Sequence, residues 1–229
     1  MFQTIKLKGV FIAVMFGIAS VLCSVKIGSV VESKTIPKSK HVIVIDAGHG
    51  GVDGGAVGKK TGVKESDLNL IYALELGKIC ESFDFQVVQS RKDKNGLYSS
   101  DAKSKKKSEM ENRKKIIQNS NPDVVVSIHM NSFSSQEVSG AQVYYAKGNE
   151  AGKSLAENIQ NVFYGDLDNA NETAKVGDYY VLNCTSCPSV LIECGFLSNM
   201  DEEVLLQNED YIHRVCYDIV CGILLYLKM

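Results

Sequence analysis

The sequence predicts a single α/β domain with a mainly parallel, mixed sheet and helices on both faces. Three observations carry this. Short apolar runs alternate with segments of helical spacing from residue 41 onward. The first run feeds a glycine cluster, and polar residues stand just past several runs, where open α/β sheets bind ligands. A chain of 229 residues has room for one such domain or two small ones, and a composition 45% hydrophobic and 23% charged excludes wholesale disorder.

Taken in order, the chain opens with Lys6 and Lys8, then a charge-free stretch from Gly9 to Val25 closed by Lys26. A basic flank before an apolar stretch reads as a signal peptide or signal-anchor over residues 1–25, without a clear small-x-small cleavage site. Residues 26–40, with Ser, Lys and Pro37, read as a tether, which makes residues 41–229 an exported, membrane-anchored working domain outside the cytoplasm. Val42–Ile45 is a buried strand ending in Asp46 and the glycines. Leu68, Leu70, Ile71, Leu74, Leu76 and Ile79 follow helical spacing, with Ser66 or Asp67 as N-cap. Phe85–Val88 is a second strand. A Lys-rich helix over residues 104–119 is broken by Asn121-Pro122, and Val124–Ile128 is a third strand. Gln142–Tyr145, the run at Tyr179 and Val190–Ile192 are further strands, and helices are expected over 149–163 and 209–226.

Charge narrows the function. Residues 1–40 hold six Lys against Glu32, a local +5, whereas residues 41–229 hold 19 basic against 26 acidic groups, or −7. An acidic body is a poor match for phosphate backbones, so nucleic acid is not an expected partner. The basic run from Lys103 to Lys115 reads as a solvated helix face, with contact to an anionic polymer or a partner as the alternative. Seven cysteines, an odd number, do not make a complete disulfide framework; Cys184 and Cys187 form a lone CxxC, read as buried thiols.

Three candidate groups follow strands: His49, His129 and Glu193. Glu65 stands where the glycine loop hands over to a helix. Two imidazoles and one carboxylate make a three-ligand zinc set with a position open for water or substrate, and a second carboxylate can take a proton from that water. Taken singly, Glu65 is an ordinary first-turn glutamate and His129 an ordinary strand-end histidine. His49 lies between glycines, which cannot build a core around it, and Glu193 ends an apolar strand where a carboxylate must be paired or do chemistry. The glycine loop is no phosphate cradle: it fails the GxGxxG register, and Gly58-Lys59-Lys60-Thr61 lacks a P-loop ending.

These residues lie in four ordered motifs: Ile45-Asp-Ala-Gly-His-Gly-Gly-Val-Asp-Gly-Gly-Ala, Lys64-Glu-Ser-Asp-Leu-Asn-Leu, Ser127-Ile-His-Met-Asn-Ser and Leu191-Ile-Glu-Cys-Gly-Phe-Leu-Ser-Asn. Together, over residues 41–227, they resemble the zinc-dependent N-acetylmuramoyl-L-alanine amidases of the type 3 family. The resemblance implies one Zn2+ per chain held by His49, Glu65 and His129, with Glu193 as the catalytic carboxylate. Met130 and Cys194 stand where family members often have alanine and threonine, and neither position supplies a ligand. Arg91 and Arg113 match family arginines and, with Asn131, are expected to have structural or substrate-orienting roles. The implied reaction is hydrolysis of the amide between N-acetylmuramic acid and the L-alanine of the peptidoglycan stem. The short layout looks similar to amidases that trim spore-cortex peptidoglycan for muramic-δ-lactam formation. The rivals are another zinc stem-peptide peptidase and a non-catalytic wall-binding or scaffold protein on the same fold. Some family members carry an inhibitory helix after the second histidine; the eleven residues from Met130 to Gly140 are too few and too polar for one. Control by a regulatory or activating partner protein then remains among the expected routes.

Overall fold

The computed structural model describes residues 41–229, so the expected export segment and tether lie outside the described residues. Six strands form one sheet: β1 (Val42–Ala47), β2 (Gln86–Gln89), β3 (Val124–Asn131), β4 (Gln142–Tyr145), β5 (Lys175–Val176) and β6 (Ser189–Phe196). Their spatial order is β2-β1-β3-β6-β4-β5. All neighbours run parallel except β4 and β6, so the sheet is mixed as expected.

Helices α1 (Glu65–Ser82), α3 (Glu150–Asp166) and α5 (Glu209–Leu227) contribute to the core on one face, while α2 (Lys105–Asn119) lies on the other. The short helix α4 (Met200–Leu205) follows β6. The period-2 alternation of strand side chains sorts the core. Ile43, Ile45, Val124, Val126, Ile128, Val190 and Ile192 join the larger cluster with Leu76, Ile159 and Ile219 of the helices. Val44, Val125 and Leu191 point the other way, to Ile117 of α2. Strands buried on both faces read as continuous apolar runs, which is why β1, β3 and β6 were visible in the sequence.

Two local expectations are corrected, and one short strand is added. The Tyr179 run is no strand: Tyr180–Asn183 form one 3-10 turn that drops Val181 and Leu182 into the smaller cluster. Its β-prone residues are equally good core fillers, and packing overrides that propensity. The edge is completed instead by the two residues of β5, which the sequence did not signal. Helix α1 starts at Glu65, with Lys64 and not Ser66 or Asp67 at the N-cap, and no side chain caps it. The first-turn amides of Glu65 and Ser66 donate to the carbonyls of Ala56 and Gly54 at 2.8 and 3.0 Å, so the glycine loop does the capping.

Candidate active site

The glycine loop that follows β1 is pinned from several sides before it reaches α1. Gly48 N donates to Ile128 O at 3.0 Å and Gly51 N to Lys94 O at 2.8 Å. Farther along, the Glu203 carboxylate of α4 accepts from Lys60 N and Thr61 N, both at 2.6 Å. His49 itself takes a left-handed backbone, with φ 58°. Such a conformation is rare for a residue with a side chain and persists where the surroundings fix it.

Two buried guanidinium groups do the fixing. Arg91, 4% exposed, donates to the carbonyls of Ala47, Gly48, Ser66 and Asp93 at 2.8–3.1 Å. Arg113, 3% exposed, reaches from α2 to Asp46, to Glu109 at 2.8 Å, to Ala47 O at 2.8 Å and to the carbonyl of His49. Of the two roles expected for Arg91, the structure displays the structural one: its donors are spent on backbone carbonyls. Arg113 borders the groove, but its charge is matched by Asp46 and Glu109. Asn131 lines the groove and accepts from Ser132 N at 2.8 Å.

These supports bring His49, Glu65 and His129 together: one ligand atom from each lies within 4.8 Å of the others. Glu65 Oε1 is 3.1 Å from His49 Nε2 and 2.9 Å from His129 Nδ1. Its other oxygen, Oε2, accepts from Ala56 N at 2.8 Å. The remaining nitrogen of His49, Nδ1, lies 3.0 Å from Asp53 Oδ2, a carboxylate on the far side of the ring from Glu65. Asp53 was not singled out in the sequence, although its place four residues after His49 in the same loop was a signal. The His129 ring lies directly on Gly48, where a Cβ would be 2.3 Å from its atoms. A side chain there would evict the imidazole.

Glu193 is the cross-strand neighbour of His129 in parallel register. Just beyond, β6 carries one residue more than β3, since Asn131 aligns with Phe196, a bulge at Cys194-Gly195 of the kind found beside active sites. Glu193 is 8% exposed and its Oε2 is buried without a hydrogen-bond partner. Burial raises its carboxyl to about 7, against the pull of the nearby His129. His49 moves further still. Burial alone would lower it, but the hydrogen bond and charge of Glu65, with Asp53 behind, lift the imidazole to about 9. Two imidazole nitrogens and a carboxylate oxygen converging beside a buried, unpaired carboxylate fit a three-ligand metal and an acid–base group.

These groups share the floor of a groove of about 690 Å³ with Asp46 and Met130. Its walls include Tyr98, Lys105 and Lys106 on one side, and Tyr179, Tyr180 and Val181. Lys105 and Lys106 are exposed, as expected of a solvated helix face, and also line this groove. Residues 132–140 contain no helix or strand, so no helical lid forms there. The six cysteines among the described residues are all free thiols, Cys184 and Cys187 included.

Fold and site together define a hydrolase of the α/β class with a metal-ready centre at the carboxyl ends of β1, β3 and β6. Residues 43–224 match the profile of the N-acetylmuramoyl-L-alanine amidase family, and the chain belongs to that family of peptidoglycan hydrolases. It is 35% identical over 196 residues to the germination-specific N-acetylmuramoyl-L-alanine amidase of Bacillus subtilis, covering 84% of this chain and 82% of that protein. Among solved structures it resembles the CwlD amidase of Clostridioides difficile, solved in complex with the GerS lipoprotein. The TM-score is 0.78 at 39% identity, over 82% of this chain and 98% of that one. The catalytic domain of CwlV, an N-acetylmuramoyl-L-alanine amidase from Bacillus (Paenibacillus) polymyxa, gives 0.73 at 35% identity, over 82% and 98%.

Proposed function

We propose that this chain is a zinc-dependent amidase that releases the peptide stem from N-acetylmuramic acid, acting on spore-cortex peptidoglycan on the route to muramic-δ-lactam. The observation that carries the chemistry is the convergence of His49, Glu65 and His129 beside the unpaired, buried carboxylate of Glu193. A zinc ion held by the three residues supplies Lewis-acid chemistry, polarising an amide carbonyl and making water acidic near neutral pH. Glu193 takes the proton from the attacking water and returns it to the alanine nitrogen, which cannot leave as an anion. In the metal-free chain burial raises this carboxyl to about 7. The cortex assignment is supported by the likeness to the germination-specific enzyme, and a protein partner by the CwlD–GerS complex. We further propose that residues 1–25 export or anchor the chain and residues 26–40 tether it, placing the domain on the wall side of the membrane, where the substrate lies.

Digestion of purified peptidoglycan by the full chain, with and without added zinc, tests this by product mass. Loss of the whole stem from the sugar identifies the amidase. Trimming of the stem alone identifies a peptidase, and no product with zinc bound identifies a wall-binding scaffold. Muramic-δ-lactam in cortex from the wild-type strain but not from a deletion strain tests the narrower role.

His49→Ala and His129→Ala are each expected to lose stoichiometric zinc together with activity; a variant retaining both removes that histidine from the ligand set. Proton competition gives a second expectation. In the metal-free protein His49 holds a proton up to about pH 9, and zinc must displace it. Affinity should therefore rise with pH below 9, by about tenfold per unit for one displaced proton. Competition titrations at pH 6 and pH 8 check this, and equal affinities contradict it. Stability of the metal-free protein runs the other way. The pKa of His49 is raised on folding, so its contribution is full below about 6.5 and is lost as pH rises toward 9.

A further inference from the structure

We infer that Lys105 and Lys106 form a carboxylate-binding subsite on the groove wall, which selects stems whose carboxyl groups are free. The inference rests on the amidase reading and names a feature of the substrate that the same site recognises.

The argument begins with helix stability. Lys105, Lys106 and Lys107 fill the first turn of a 15-residue helix, where the dipole disfavours positive charge. Lys107 lies 3.9 Å from Glu111, one turn along. Lys105 and Lys106 have no carboxylate within ion-pair distance among the described residues, yet both line the groove. The helix gains nothing from their charge, and its N-terminus is already capped by Ser104, which accepts from Lys107 N at 3.3 Å.

Placement supplies the rest. Lys105 is held in position, its Nζ 4.9 Å from the centre of the Tyr98 ring. Tyr98 in turn packs on the metal loop: a Cβ on Gly51 would be 2.6 Å from its hydroxyl. The lysine wall thus stands beside the ligand loop. None of the groove's acids is ion-paired with Lys105 or Lys106: Asp46 and Glu109 are matched by buried Arg113, Glu65 and Asp53 face the histidines, and Glu193 is buried on β6. Two exposed ammonium groups on the wall of the groove suit an anion carried by the bound chain. In a peptidoglycan stem those anions are the carboxylates of the peptide that leaves.

The test uses the zinc-loaded full chain and two muropeptides, one with free stem carboxylates and one with the same groups converted to carboxamides. For Lys105→Gln/Lys106→Gln, KM on the free-acid compound should rise at least tenfold, with kcat and zinc content little changed. On the amide compound the same variant should differ from wild type by less than twofold. Lys103→Gln/Lys107→Gln removes equal charge outside the groove and should behave as wild type on both. Equal losses on the two compounds, no loss on either, or a matching loss in the outer pair overturns the subsite. Wild-type protein that cuts neither compound with zinc bound overturns the amidase reading instead.

Discussion

Glu193→Gln is expected to reduce turnover on peptidoglycan by at least 10²-fold while zinc content and fold survive. The magnitude follows from general acid–base assistance, worth about 10²–10⁴-fold. The separation of effects follows from geometry. Glu193 Oε2 has no hydrogen-bond partner, so the amide disrupts no internal bond, and the residue is not one of the three converging ligands. Gln also keeps the side-chain volume on a strand buried along its whole length. Metal analysis and thermal melting should match wild type. Residual activity above a tenth of wild type would show that Glu193 is not the proton carrier, and loss of zinc would show that it is a ligand.

The second large effect is expected for Arg113→Met. The substitution keeps an unbranched chain but leaves Asp46 and Glu109 buried without their cation, at 1% and 6% exposure. Breaking a buried pair by removing one partner costs about 3–5 kcal/mol. For a domain of this size that corresponds to roughly 6–20 °C in Tm. Burial pushes the Asp46 carboxyl up, but the Arg113 charge and hydrogen bonds from Ser90 and Ser127 hold it below its usual value. Its contribution is therefore present above about pH 4 and is lost as pH falls further, so the wild-type advantage should shrink in acid. Adding Asp46→Asn should recover part of the loss by removing one unmatched charge. A melting shift below about 2 °C in the single variant would contradict this account.

What the sequence disclosed and what it hid have physical reasons. Strands β1, β3 and β6 are buried on both faces, so their apolar runs stand out, and the groups at their ends were found with them. His49 was legible because glycines surround it, and Glu193 because a carboxylate ends an apolar run. The start of α1 was misplaced because its cap is made of loop carbonyls some ten residues away, which no local motif encodes. The Tyr179 turn was misread because Tyr, Val and Leu suit a strand and a core equally. A structural role for Arg91 is among the expectations, but its four carbonyl partners are not legible, since they come from separate segments that meet only in the folded chain. The groove-lining lysines were seen as part of a charge run. Only the packing of α2 beside β1 distinguishes those facing the groove from those facing solvent.

The carbonyl grip of Arg91 and Arg113 bears on how the proposed zinc site would be filled. Small domains whose ligands scatter on unfolding must be assembled by their metal, and chelators denature them. Here the loop around His49 is tied to guanidinium groups that need no ion to hold their shape. Loading should therefore resemble filling a rigid mould: chelation and refilling should be reversible, without hysteresis. Exchange of the hydrogen-bonded amides of Gly48 and Gly51 should be slow in both states, so occupancy of the centre can change while the protein stays folded. On the proposed zinc reading, folding and occupancy are then separate events: the chain reaches its final shape before the ion arrives.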